Sequence, residues 1–179
     1  MAVSIELIKQ LRDLTSASVS DCKSALDEAK GDLHLASEIL KKKGLEIAAK
    51  KASRVAKQGR IEAYIHHGNK LGVFVEVNCE TDFVARNEEF ISFAKDVAMQ
   101  IAATAPQYLK KEDVPADVVA DLNEKQRSDF FKVNCLLQQP FIKDEKVTIQ
   151  DYLISLIAKI GENIVIRRFS RFKLGEDEK

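Results

Sequence analysis

The sequence has no surplus of either charge: 28 lysines and arginines stand against 28 aspartates and glutamates, for a formal net charge of zero. A general nucleic-acid binder presents a strongly basic face, so this balance argues against a direct nucleic-acid partner. Cysteine is scarce. Cys22, Cys79 and Cys135 are odd in number and widely spaced, which excludes a disulfide framework and fits free thiols in a reducing compartment. No stretch approaches the ~20 apolar residues needed to cross a membrane, so no membrane partner is expected. The start, Met1-Ala2-Val3-Ser4-Ile5-Glu6, lacks a basic segment and an apolar signal core, so a cytoplasmic location is expected. Gly59, Gly68, Gly72 and Gly161 form neither Gly-x-x-x-x-Gly-Lys nor Gly-x-Gly-x-x-Gly, so no nucleotide or other cofactor is expected. Repeats and low-complexity tracts are also missing.

Hydrophobic residues make up 45% of the 179 positions, enough for a core in one medium domain or two small ones. The first part reads as helices only. Ile5, Ile8, Leu11 and Leu14 form the stripe of a first helix. After a Thr15–Ser18 turn, Ser18 is placed to cap a second helix carrying Val19, Cys22, Ala25 and Leu26. Gly31 ends it, and Asp32 caps a third helix with Leu33, Ala36, Ile39 and Leu40 that is expected to stop at Gly44. A basic, alanine-rich linker helix follows. Its cluster of Lys50, Lys51, Arg54 and Lys57, like Lys41 to Lys43, reads as a solvated helix face.

Period two then appears. Ile61, Ala63 and Ile65 alternate, as do Val73, Val75 and Val77, with turn residues His67-Gly68-Asn69-Lys70 between them, which predicts an antiparallel hairpin. Phe90, Phe93, Val97 and Ile101 predict a helix over about 88–103 packed on that hairpin, with Asn87 at its start. Pro106 and Pro115 break the pattern, and a further helix is expected over about 121–137. Thr148 and Asp151 form a capping box for a helix ending at Gly161, with Val147 and Tyr152 placed for a hydrophobic staple. Residues 163–173 alternate as a last strand, and 175–179 form a polar tail expected to be mobile. The fold class is therefore α+β: a helical bundle over 1–44, a linker helix over 45–58, a core over 59–174 with a small antiparallel sheet packed by helices, and the tail.

Little catalytic chemistry is offered. His34 is isolated, and His66 and His67 are neighbours on a strand whose side chains point to opposite faces, so a metal site is not expected. Cys79 near His66 has neither an oxyanion motif nor an orienting third group, and reads better as a small core residue. The informative place is Thr81-Asp82-Phe83-Val84, where an apolar strand meets a helix. A phenylalanine held beside a carboxylate on such a tip is a poor catalyst and a good wedge, gaining roughly 1.5–3 kcal/mol in a partner's pocket. The competing expectation is that Phe83 folds back into the chain's own core. The two other function classes are an interaction module centred on the bundle and a cysteine enzyme centred on Cys79.

Two motifs carry a family resemblance. They are Leu11-Arg12-Asp13-Leu14-Thr15-Ser16-Ala17-Ser18-Val19-Ser20-Asp21-Cys22-Lys23-Ser24-Ala25-Leu26 and Glu76-Val77-Asn78-Cys79-Glu80-Thr81-Asp82-Phe83-Val84-Ala85-Arg86. Gln139-Pro140-Phe141, Lys146-Val147-Thr148 and Gly161-Glu162-Asn163-Ile164 extend it. The chain resembles bacterial elongation factor Ts, the guanine-nucleotide exchange factor for elongation factor Tu, in its short form. The resemblance implies a bundle like a ubiquitin-associated domain. By position Arg12, Val19, Ser20 and Lys23 would meet elongation factor Tu, GDP-bound or nucleotide-free. It implies that Thr81, Asp82, Phe83 and Val84 form a wedge that dislodges the partner's magnesium and disturbs its phosphate site. It also implies a homodimer. The region around 104–130 looks shorter than the family's usual length.

Overall fold

The computed structural model describes residues 3–15 and 17–176. Ser16 in the expected turn and residues 177–179 of the expected tail lie outside the described residues. The chain divides into two compact units, Met1–Val55 with Leu153–Asn163, and Ala56–Tyr152 with Ile164–Lys179.

The first unit is built on α1 (Ile5–Thr15), α2 (Val19–Glu28) and α3 (Leu33–Lys51). Leu11, Cys22, Ala25, Leu26, Ala29 and Ala36 are its buried centre, with Leu7, Ile8, Ile39 and Leu40 packed against them. The stripe of α1 is therefore Leu7, Ile8 and Leu11. Ile5 and Leu14, expected inside, lie in the terminal turns and are exposed. Ser18 Oγ accepts from the Asp21 amide at 3.1 Å, and Asp32 Oδ1 from the Leu35 amide at 3.0 Å, so both expected caps form.

The third helix does not stop at Gly44. It continues to Lys51 because Gly44 serves packing: a Cβ there would sit 3.3 Å from Ile154 Cγ2 on α7 (Ile149–Ile160). The linker expected over 45–58 is thus the end of α3 followed by a non-helical stretch. That stretch is tied down, since Lys51 Nζ donates to the Gly161 carbonyl and Asn163 Nδ2 donates to the Arg54 carbonyl at 2.7 Å.

In the second unit β1 (Gln58–Ile65) and β2 (Leu71–Cys79) form the expected hairpin, and β5 (Val165–Lys173) joins on the other side of β2. All pairings are antiparallel, with a bulge in the β2–β5 register between Glu76 and Val77. Gly68 and Asn69 take positive φ at the turn, as a tight reversal requires. Gly59 has φ +144° and lies so close to the Val77 carbonyl that no side chain fits.

Val73, Val75, Val77 and Cys79 are buried on one face of the sheet. The helix α5 (Glu88–Thr104) covers that face with Phe90, Phe93, Val97 and Ile101, all fully buried. Ile61, Ala63 and Ile65 pair with Glu76, Phe74 and Gly72, so they belong to the opposite face. There Ile61, Ile65, Phe74 and Phe172 are exposed.

Between α5 and β5 the chain makes an excursion. The helix α6 (Glu124–Asn134) is shorter than the expected 121–137 and has no buried residue. Leu136 and Leu137 leave the helix because their amides bond back to the carbonyls of Tyr108 and Leu109. The Gln107 and Tyr108 amides both reach the Asn134 carbonyl. The excursion is therefore closed at its base by backbone bonds.

A small hairpin absent from the sequence reading, β3 (Pro140–Phe141) with β4 (Asp144–Thr148), follows. It is held by two polar side chains one turn apart on α5. Gln100 Nε2 donates to the Pro140 carbonyl at 3.1 Å and Gln100 Oε1 accepts from the Ile142 amide at 2.9 Å. Buried Asp96 accepts from Lys143 Nζ at 2.6 Å and from the Tyr152 hydroxyl at 3.2 Å. Tyr152 also stacks edge-on against Phe93, with centroids 4.9 Å apart. The tail's first residues are pinned as well, for Glu176 accepts from Arg171 Nη1 at 2.9 Å and pairs with Lys173.

Candidate functional site

The tip expected to act as a wedge is a one-turn helix, α4 (Asp82–Ala85), between the end of β2 and the start of α5. Its ends are fixed by short-range bonds. The Cys79 thiol donates to the Thr81 carbonyl at 3.1 Å, and Thr81 Oγ1 accepts from the Val84 amide at 3.4 Å. Beyond the tip, the Asn87 amide reaches the Val84 carbonyl at 3.0 Å. Asn87 Oδ1 accepts from the Glu89 amide at 2.8 Å and starts α5. Phe83 is 81% exposed, and no residue of α4 is buried. The expectation that Phe83 folds into the core is overturned. Asp82 and Thr81 are exposed with it, and Val84 is half-buried.

Arg86, which the sequence reading passed over, closes the group. Its Nη2 donates to Asp82 Oδ2 at 2.8 Å. The acid–base spacing of four residues was the available signal.

In the first unit Arg12, Val19, Ser20 and Lys23 are all exposed, Arg12 on α1 and the others in the first turns of α2. Leu14, a further exposed apolar residue of α1, was missed as a surface group because its spacing matched the core stripe. Asp21 beside them is held by Lys43 and by the Ser18 hydroxyl, the lysine chiefly drawing its carboxyl below the usual range.

The cysteine-enzyme geometry does not form. Cys79 lies at the open end of the hairpin and His66 at its turn, about seven residues of strand or ~23 Å away. Burial pushes the Cys22 and Cys135 thiols up, which suits inert core groups. Among the described residues no group of three or more His, Cys, Asp or Glu converges as a metal site, and no helix is long and apolar enough to cross a membrane. One surface hollow of about 210 Å³ is lined by Phe131, Leu137 and Thr148. Another of about 280 Å³ is lined by Gly59, Ile61, Asn78 and Arg168. Both fall below the roughly 300 Å³ at which small-molecule sites begin.

Comparison with known proteins identifies the family of the chain. Residues 6–131 match the family model described as Elongation factor TS. An elongation factor Ts from Carboxydothermus hydrogenoformans is 51% identical over 195 aligned positions, covering 97% of this chain and 90% of that protein. One from Caldanaerobacter subterraneus subsp. tengcongensis is 49% identical, covering 97% of this chain and 98% of that protein. The aligned length exceeds the 179 residues of the chain, so these relatives carry segments it lacks. With more than half the chain matched by the family model and such identities along nearly its whole length, the chain belongs to the elongation factor Ts family of translation elongation factors.

Proposed function

We propose that the chain binds elongation factor Tu·GDP and promotes release of GDP, so that GTP can reload. The observation that carries this reading is Phe83, a large apolar ring held out in solvent by a tip fastened at both ends. In this reading the bundle docks through Arg12, Val19, Ser20 and Lys23. The tip Thr81-Asp82-Phe83-Val84 then enters the partner, dislodges magnesium and disturbs the phosphate site.

A bound GDP is held largely through its phosphates and magnesium, so a wedge expels it without touching it. It has only to favour the partner conformation that binds nucleotide poorly. The coupling is reciprocal: GDP weakens the factor's binding to Tu by the same factor. No covalent step is involved, the chain acts as a binding protein and not as an enzyme, and its place of action is the cytoplasm.

The exposed sheet face supports self-association in this reading. Phe74 and Phe172 are 49% and 62% exposed on this face; Phe172 pairs with Gly72 and Phe74 with Ser170, so the two rings are diagonal neighbours, and Ile65 lies across from Gly72 on the other side. Such an apolar face is covered economically by a second copy related by a two-fold axis.

The test is stopped-flow release of a fluorescent GDP analogue from elongation factor Tu. The chain accelerates release, and Phe83→Ala slows that acceleration at least tenfold while leaving the fold intact. Unchanged release kinetics in Phe83→Ala, at unchanged affinity for Tu, would remove the wedge role.

A further inference from the structure

Asp82 does not stand alone on the tip. Arg86 lies one helical turn further on, so its side chain and that of Asp82 leave the same side of α4. The guanidinium donates to Oδ2 at 2.8 Å, while the Arg86 amide bonds the Phe83 carbonyl at 3.2 Å. One residue thus holds the backbone of Phe83 and the carboxylate of Asp82 together.

The pair is not there to stabilise the fold. Arg86 is 78% and Asp82 52% exposed, and an exposed ion pair of this kind adds little to stability. Its effect is local. A one-turn helix gives an aspartate side chain few neighbours to fix its rotamer, and the charge-assisted bond from Arg86 supplies the missing constraint. Oδ1 remains outside this contact and is available to a donor on a partner, while the charge beside Phe83 is partly balanced before the ring is buried. That balance lowers the cost of taking the tip out of water.

We propose that Arg86 is a positioning residue for the tip. It presents Asp82 in the orientation the partner meets, and acts through Asp82 and not through contact of its own. This inference rests on the exchange-factor reading above.

The experiment is the same GDP-release measurement on the full chain with Arg86→Ala, Arg86→Lys, Asp82→Ala and the double variant, each titrated against Tu. Arg86→Ala lowers the plateau release rate about threefold, the scale open to an exposed ion pair, with the half-saturating concentration little changed. Arg86→Lys, which keeps the charge and the reach, restores most of the rate. In the Asp82→Ala background the Arg86→Ala change has no further effect, the signature of one residue acting through the other.

Three results overturn the proposal. One is an equal loss from Arg86→Ala with and without Asp82, which would mean direct contact. Another is no loss with Asp82 present. The third is an Arg86→Lys variant as slow as Arg86→Ala, which decides the matter even if Asp82→Ala alone is too slow to resolve. If the unaltered chain does not accelerate release, the exchange reading itself fails, and if Phe83→Ala leaves the acceleration unchanged, the wedge role fails. If Phe83→Ala slows release and Arg86→Ala does not, only the positioning role fails.

Discussion

The two faces of the sheet differ more than their sequences do. On β2, Val73, Val75 and Val77 are fully buried under α5, while Phe74, set between them, looks out onto the opposite face with Ile61, Ile65 and Phe172. Both faces carry large apolar residues, the open one beside the Glu76–Arg168 ion pair, but only one is covered within the chain. The lesson is that apolar character alone does not say where a core is. The covered face is the one for which the same chain supplies a partner of matching period, here Phe90, Phe93, Val97 and Ile101 at helix spacing. The open face has no such helix among the described residues, and it is the face proposed above for self-association.

The sharpest way to break this contrast is to truncate adjacent residues. Val75→Ala removes two buried methyl groups and leaves a cavity against α5, so stability falls by about 2 kcal/mol in denaturant titration.

The covered side also sets an alkaline limit. Tyr152, packed on Phe93 and bonded to Asp96, has its hydroxyl pKa raised, chiefly by burial and then by the Asp96 charge. A raised pKa favours the neutral phenol in the folded state. Its contribution is complete below the ordinary tyrosine value near 10 and is lost progressively as pH rises above it. The melting temperature therefore declines above about pH 10, and Tyr152→Phe flattens that part of the profile.

Phe74→Ala has the smallest effect on the fold, within about 0.5 kcal/mol for the single chain. Sedimentation analysis of the same variant shows the loss of the self-associated species. If Phe74→Ala were as destabilising as Val75→Ala, the open face would be part of the chain's own core and the contrast would vanish.

Much of this was legible in the residues. The hairpin, the helix after Asn87 and the caps at Ser18, Asp32 and Thr148 follow from local periodicity and hydrogen-bond chemistry, which act over four residues or fewer. The tip was legible as a strand-to-helix junction. Whether Phe83 points in or out was not, because that depends on how a single turn sits against the rest of its unit and not on the turn's own residues. Gly44 misled for a similar reason. A glycine that ends a helix and one that admits a neighbouring helix look alike in sequence, and the neighbour, Ile154, lies 110 residues away. The small hairpin at 140–148 escaped notice because it is held by Asp96 and Gln100, two polar residues on an otherwise apolar helix face. Local pattern does not record such long-range polar contacts.

The excursion between Tyr108 and Cys135 has a practical consequence. Its two ends are already stitched together by backbone bonds from Gln107, Tyr108, Leu136 and Leu137. The rest of the unit is therefore insulated from what lies between them. For a loop closed in this way, doubling the length costs only about 0.6 kcal/mol. This is the natural port for a graft: an affinity tag, a fluorophore site or a small folded insert placed near Pro115 would leave the sheet, its covering helix and the tip unchanged. A family whose members differ in length has room to add or shed sequence at such a place without redesigning the rest.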